Sequence, residues 1–304
     1  SFTTPGISAT TNYFIVARNT TTGCVSPTRA EVTATINANP TAIITGTASF
    51  CAGGSTVLSA TTSAPGSGTI TSYQWNVDGT PIDGAVSTTY TATAAGSYTV
   101  TVTNSNNCSA TSAAANVTII ALPTITLGAN PVVCQGITTA NLPFSATTGT
   151  PNQYSIDYDD AANAAGFIDV VNGTLGTSPR TLTVPPVPAG VYNATFTVRN
   201  STTGCVSIDY PVTITVNARP VPTITGPAGA CAGSTGNIYN TEPGMSGYTW
   251  TVSTGGTITS GAGTNSITVS WTTTGARTVT INHTDANGCN ATTATSYPVT
   301  VNAI

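Results

Sequence analysis

Seven cysteines, at positions 24, 51, 108, 134, 205, 231 and 289, are the residues of this chain best suited to chemistry. None form a Cys-x-x-C pair and there is one histidine, so a tetrahedral zinc site is a poor fit. Disulfide formation fits better: recurrent cysteines on modest apolar cores point to oxidised bridges and an oxidising compartment. Cys51, Cys134 and Cys231 each precede a Gly-containing turn, read as Cys51-Ala-Gly-Gly, Cys134-Gln-Gly and Cys231-Ala-Gly. Cys24, Cys108, Cys205 and Cys289 fall where hairpin tips are expected.

Other reactive groups are sparse. His283 lies two residues before Asp285. Strand neighbours two apart share a face without forming a proton relay, so no Ser-His-Asp triad is read here and His283 is expected to be exposed on a hairpin. Asp157-Tyr-Asp-Asp160 is the densest charge cluster. Calcium takes about six to eight oxygens, which makes Asp157, Asp159 and Asp160 a calcium candidate, set against a solvated turn after the strand Tyr154–Tyr158. The helix-loop-helix calcium pattern is absent, and no supporting residues mark these carboxylates as a sugar-hydrolysing pair. Gly53-Gly54 and Gly255-Gly256 lack the following lysine and helix of a phosphate loop. The chain is therefore not expected to be an enzyme, and no cofactor is expected beyond that calcium.

Composition narrows the partners. Only 5% of the 304 residues are charged, there is no lysine, and six arginines (18, 29, 180, 199, 219 and 277) carry all the permanent positive charge. Such sparse cations do not neutralise a phosphate backbone, so nucleic acid is excluded as a partner. A net charge of −4 over this length is a weak field. No run of about 18 apolar residues is present to span a membrane as a helix. Disorder is argued against by 39% hydrophobic residues falling in regular alternation. Abundant Thr and Val, branched at Cβ, favour the pleated strand.

The sequence repeats. Arg18-Asn-Thr-Thr-Thr-Gly-Cys-Val-Ser26 returns as Arg199-Asn-Ser-Thr-Thr-Gly-Cys-Val-Ser207. A second set, Tyr73-Gln-Trp75 with Gly96-Ser-Tyr-Thr-Val-Thr-Val102 and Asn107-Cys108, returns as Tyr248-Thr-Trp250, Gly275-Ala-Arg-Thr-Val-Thr-Ile281 and Gly288-Cys289. Internal periodicity of this kind marks tandem modules. A Val/Ile/Thr strand running into Asn, Ala and Pro recurs at 32–40, 117–123 and 212–220. Proline there stops ladder pairing. The cuts give the C-terminal part of a module at 1–38 and full modules at 39–122, 123–218 and 219–304. The full ones have the size of an immunoglobulin-like sandwich.

Strand signals recur every 8 to 12 residues, and no window carries a helical period. Thr99–Thr103 and Thr278–Asn282 alternate with period two, which buries one face of each. The fold class is all-β: tandem immunoglobulin-like β-sandwich modules in a linear array. Trp75, Trp250 and Trp271 are expected in the cores rather than on a sugar-stacking surface.

Two disulfide connectivities remain open. Convention pairs cysteines within a module: Cys51 with Cys108, Cys134 with Cys205, and Cys231 with Cys289. Yet in the usual immunoglobulin topology the first corner and the last hairpin tip lie at opposite poles, and a bond needs Cα atoms within about 7 Å. The alternative joins neighbours, Cys51 with Cys205 and Cys134 with Cys289. Convention favours the first. Cys24 matches a tip cysteine whose early partner lies outside the sequence, so the odd count is expected to reflect a cut module rather than a reactive thiol.

Thr4-Pro-Gly-Ile-Ser-Ala-Thr-Thr-Asn-Tyr13 with Arg18–Ser26 resembles the immunoglobulin-like repeats of large secreted Bacteroidetes surface proteins. Cys231-Ala-Gly, Tyr248-Thr-Trp250 and Asn287-Gly-Cys289 resemble the PKD-like repeats found beside them. This likeness implies an Ig-like part-module at 1–38, an Ig/PKD-like module at 39–122, an Ig-like module at 123–218 and a PKD-like module at 219–304. Together they would form an all-β array of tandem immunoglobulin-like (PKD-like) β-sandwich modules. The resemblance implies an extracellular, cell-surface location, export by type IX secretion, and a structural or adhesive role as stalk or filament, including in gliding. Implied partners are neighbouring modules of one long chain, lateral self-association, and surface glycans or abiotic surfaces. The competing expectation is a carbohydrate-binding accessory region of a secreted polysaccharide-degrading enzyme. That would need exposed aromatics, for which Tyr154 and Tyr158 are the candidates.

Overall fold

The structure, a computed structural model, describes residues 3–304. It divides into two compact units, one ending at Ala121 and the other spanning Leu122–Ile304. In the first unit, Thr11–Ile15 and Ala30–Ala34 form a two-stranded antiparallel hairpin with Tyr13 opposite Val32. A sandwich follows. One sheet runs in the order Ser49–Cys51, Ala115–Ile120, Gly96–Asn104, Ile70–Val77 and Thr80–Pro81, and the other pairs Thr56–Ser59 with Thr89–Ala92.

The second unit contains two more sandwiches. In the first of these, Val132–Cys134, Tyr210–Asn217, Gly190–Arg199, Gln153–Tyr158 and Val170–Thr174 make the larger sheet. Thr139–Leu142 pairs Arg180–Thr183 on the facing side. In the second, Gly229–Cys231, Thr295–Asn302, Gly275–Thr284 and Ser246–Val252 face a sheet of Asn237–Asn240, Ser266–Trp271 and Gly256–Ser260. All three sandwiches thus repeat one order, in which a three-residue strand ending in cysteine pairs in parallel with the last strand.

The cores follow from alternation. Gly96–Asn104 buries every second residue, Tyr98, Val100 and Val102 among them, and Gly190–Arg199 buries Ala194, Phe196 and Val198 in the same way. Three separate apolar clusters result, within 50–117, 125–216 and 224–301. All three tryptophans are buried, as their alternation predicts. Trp75 and Trp250 satisfy their indole N–H groups on the carbonyls of Ser87 and Thr264. Near the start of the long hairpin strand, the Tyr98 and Tyr192 hydroxyls donate to carbonyls four residues upstream, at Ala94 and Pro188. This is the tyrosine-corner arrangement of immunoglobulin-like sandwiches.

One element departs from the sequence reading. The segment expected to be a solvated turn is a six-residue helix, Asp160–Ala165. Asp159 caps its N-terminus by accepting from the Ala162 amide, and Gly166 closes it in the left-handed region at φ 111°. Two turns are too short for a hydrophobic period to register, so only the cap residues announce the helix.

Candidate functional site

The feature with a defined chemical architecture is a clasp inside the second unit. Cys134 ends a strand held in parallel register on Tyr210–Asn217, directly opposite Asn217. The chain then leaves that last strand through Ala218, Arg219 and Pro220 into the next sandwich, whose long hairpin carries Cys289 at its tip. Cys134 and Cys289 are joined by a disulfide with Cα atoms 5.6 Å apart. Arg219 completes the junction. Its Nε donates to the Gln135 carbonyl at 2.6 Å, and its Nη1 donates to the carbonyl and side-chain oxygens of Asn290 at 2.9 and 3.1 Å. The residue after each cysteine is therefore tied to the same guanidinium, whose planar fork of donors suits two acceptors at once.

This geometry overturns the within-module pairing. Cys134 is bonded to Cys289 rather than to Cys205, which also removes Cys289 as a partner for Cys231. Cys108 is a free thiol, so Cys51 is not bonded to it. The corner of the second unit's first sandwich meets the tip of its second sandwich, which is the neighbour-joining alternative for these two cysteines. Cys51 is in a disulfide and so is Cys205, while Cys24, Cys108 and Cys231 are free thiols. The single expected unpaired cysteine thus has two companions.

What presents the tip cysteines was missed in the sequence. Each tip opens on Asn or Asp: Asn19, Asn104, Asn200 and Asp285. Each donates its amide to the carbonyl of the tip cysteine at 2.8 to 3.0 Å. Each side-chain oxygen accepts two backbone N–H groups within the turn. Such Asx caps fix a turn locally. The signal was present as an Asn or Asp four or five residues before every tip cysteine.

The other candidate residues are occupied elsewhere. Asp159 accepts from Ala162 and from the Asn193 side chain, bonds that hold its carboxyl below the usual range. Asp160 sits in the helix's first turn and Asp157 faces outward from its strand. The three carboxylates are not gathered as the calcium candidate requires. Among the described residues no group of three or more His, Cys, Asp or Glu could hold a metal ion.

Tyr154 and Tyr158 are buried rather than exposed. Tyr154 stacks on Phe196 with ring centroids 5.4 Å apart, and burial pushes the Tyr158 hydroxyl up to about 12. A cleft of about 380 Å³ opens beside them, but the Arg180 guanidinium covers the Tyr154 ring at 4.8 Å. That leaves no open stacking platform.

His283 is also buried, against expectation, and its Nε2 lies 3.1 Å from Glu242 Oε2. Burial alone would raise the Glu242 carboxyl. Hydrogen bonds from Thr223, Thr241, its own amide and His283 outweigh that and hold it at about 2. His283 is enclosed in the module, edge-on to Tyr248, while the Glu242 side chain is 33% exposed.

Fold and clasp together define a region of tandem immunoglobulin-like and PKD-like sandwich modules. Comparison with known families agrees. A family described as PKD domain matches residues 37–121, and one described as PKD-like domain matches residues 217–299. No curated protein matches the chain. Among solved structures, the three N-terminal domains of the bacteriophage RB49 outer capsid protein Hoc align at 14% identity, covering 87% of this chain and 99% of that one, with a TM-score of 0.32. The N-terminal eight Ig domains of Down syndrome cell adhesion molecule align at 15% identity over 97% of this chain and 40% of theirs, with a TM-score of 0.38. A Bacteroides ovatus glucan-locus protein, SGBP-B, solved with a mixed-linkage heptasaccharide, aligns at 16% identity over 88% and 72%, with a TM-score of 0.23. None of these likenesses bears on what the chain binds. The disulfides and PKD-like modules point to an extracellular setting. Among the described residues no helix is long and apolar enough to cross a membrane.

Proposed function

We propose that the chain is a load-bearing spacer in a bacterial cell-surface protein, a stalk whose successive modules are clamped to one another. The observation that carries this reading is the Cys134–Cys289 disulfide with Arg219 bonded to both flanks. A disulfide bridging 155 residues of chain removes that length from what tension can extend. Sandwiches with long-range antiparallel pairing supply the mechanical units, and the clasp keeps one from swinging on the next. The Bacteroidetes origin, type IX export, and roles in attachment or gliding belong to this proposal through the sequence resemblance. So do lateral association into filaments and contact with glycans or abiotic surfaces. Thr-rich faces with few charges leave sheet edges without the usual guard against pairing, which supports association.

Single-molecule stretching of the intact chain tests the load-bearing reading. Reduction, or the double change Cys134→Ser with Cys289→Ser, should release roughly 500 Å of extra contour length, at about 3.4 Å per residue. It should also lower the force at which the second unit opens. Equal contour length and force before and after reduction would show that the clasp bears no load. Filament association predicts growth in light-scattering mass with concentration; a chain that stays monomeric at high concentration removes that part. Burial of Tyr154 and Tyr158 counts against the carbohydrate-binding alternative, and a glycan array showing specific binding would revive it.

A further inference from the structure

The sandwich with its core within 125–216 lacks a large side chain that the sandwiches before and after it in sequence both bury. In those two, a tryptophan stands opposite the long hairpin strand, four residues before the Asn or Asp that opens the tip. Trp75 faces Val100 and Trp250 faces Ile281 in this way. The same position in the middle sandwich pairs Phe196 with Ile156. Trp75 and Trp250 fill their cores and donate their indole N–H groups to the carbonyls of Ser87 and Thr264. Isoleucine is much smaller and has no N–H to place. Ile156 instead lines the cleft of about 380 Å³ between strands Gln153–Tyr158 and Arg180–Thr183. That volume is in the range of small-ligand sites.

Polar groups in this cleft have capacity to spare. The Arg180 guanidinium is fixed by the Tyr154 ring, 4.8 Å from its Cζ, and by Nη1 donating to the Thr174 carbonyl at 3.2 Å. Its Nε is buried without an acceptor, and Nη2 has none either. Among the described residues no carboxylate pairs with it. Buried donors are nearly always paired, so an orphan on a fixed guanidinium calls for an acceptor from outside the chain. Tyr158 lines the same cleft with a hydroxyl that donates to no protein group. Burial keeps that phenol protonated up to about 12, so it offers a proton. Asp169 is taken up by the Tyr158 amide at 2.9 Å. Leu182 is buried on the apolar wall, and Ile168, 81% exposed, stands at the rim.

We infer that this cleft binds a small carboxylate with an apolar body, its carboxylate on the Nε–Nη2 edge of Arg180 and its hydrocarbon along Ile156, Leu182 and Ile168. That edge of a guanidinium presents two parallel N–H groups, which match the two oxygens of a carboxylate. One unpaired cation matches one negative charge. A uronic acid would need hydrogen-bond partners around its ring, and the apolar wall supplies none, so the body is hydrocarbon. The site lies within one module, away from the clasp, and stands or falls apart from the spacer reading.

Isothermal titration calorimetry of the intact chain with sodium octanoate tests the assignment. One site per chain is expected, with hexanoate about tenfold weaker for the loss of two methylenes. Octanol, without the carboxylate, and galacturonate, without the apolar body, should each bind at least about tenfold more weakly than octanoate. Arg180→Gln should weaken octanoate by at least about tenfold, and Tyr158→Phe by about threefold. Ile156→Trp restores the side chain of the other two sandwiches and should abolish binding. A melting curve shows whether that variant still folds; if it does not, Arg180→Gln decides alone. Absence of heat at millimolar octanoate, binding undiminished by Arg180→Gln, or galacturonate binding as tightly as octanoate would each overturn the inference. So would a leucine-ended peptide that binds more tightly than octanoate, which would make a chain terminus the occupant.

Discussion

The hairpin at 11–34 and its repeat at 192–215 are built from nearly the same tip sequence and fold to the same tip, and among the described residues only the later one packs into a core. In both, the arginine bridges the valine across the turn, Arg18 to Val25 and Arg199 to Val206. In both, a serine side chain accepts from the strand amide opposite, Ser26 from Ala17 and Ser207 from Val198. Tyr13 faces Val32 as Ala194 faces Val212. But Ile15 is 56% exposed where its counterpart Phe196 is fully buried, and Val32 is 49% exposed where Val212 is 1%. The later hairpin packs on the strand pair Thr139–Leu142 and Arg180–Thr183 through Leu142 and Leu182, while the earlier one meets solvent. Local sequence is enough to shape a tip, whereas burying a face takes strands from elsewhere in the module.

The sharpest way to break this comparison is to truncate matched residues. Phe196→Ala should destabilise its module by about 3–5 kcal/mol, whereas Ile15→Ala should stay within about 0.5 kcal/mol. Hydrogen exchange resolved by segment reads both, and similar loss at the two positions would mean that the earlier hairpin is buried after all. Next comes oxidation. Reducing the chain should loosen the Cys205 tip, consistent with about 2–4 kcal/mol for a native disulfide, and leave the Cys24 tip unchanged. Exchange rates at 200–207 and 19–26 report the difference directly.

Acid probes a third tip-bearing hairpin, Gly275–Thr284, whose buried face includes His283 against Glu242. The Glu242 carboxyl is depressed from its ordinary 4.5 to about 2 in the folded chain. Its contribution to stability is therefore complete above about pH 4.5 and lost as the pH falls through about 2. Glu242→Gln should flatten that acid limb and cost about 1–2 kcal/mol at neutral pH, allowing for its partial exposure. A thermal melting series from pH 2 to 7 with an unchanged acid limb would show that the pair contributes nothing. The smallest expected effect is at the caps. Asn200→Ala should cost about 1 kcal/mol, by loss of its two amide contacts. Asn19→Ala should slow nothing and speed exchange only within residues 19–26.

Much of this was legible beforehand. Period-two alternation in Thr99–Thr103 and Thr278–Asn282 placed the strands and their buried faces, and the position of Trp75 among alternating residues placed it in a core. The helix Asp160–Ala165 was not legible, because six residues carry no period. His283 was misread because its two-residue spacing from Asp285 describes its own strand and says nothing of Glu242, which is 41 residues away in sequence. Tyr154 and Tyr158 read as exposed candidates for the same reason: which face of a strand is covered depends on what packs against it.

The sequence by itself determined the modular all-β class, the tip and corner positions of all seven cysteines, and the Asn or Asp caps that present the tips. These are consequences of local spacing and of steric preferences within a few residues. Only the tertiary structure decided which cysteine meets which, that Arg219 ties the two flanks of the clasp, and which strands cover the face of the later hairpin. Those outcomes depend on groups far apart in the chain coming within a few ångströms, and no local pattern encodes a distance of 155 residues.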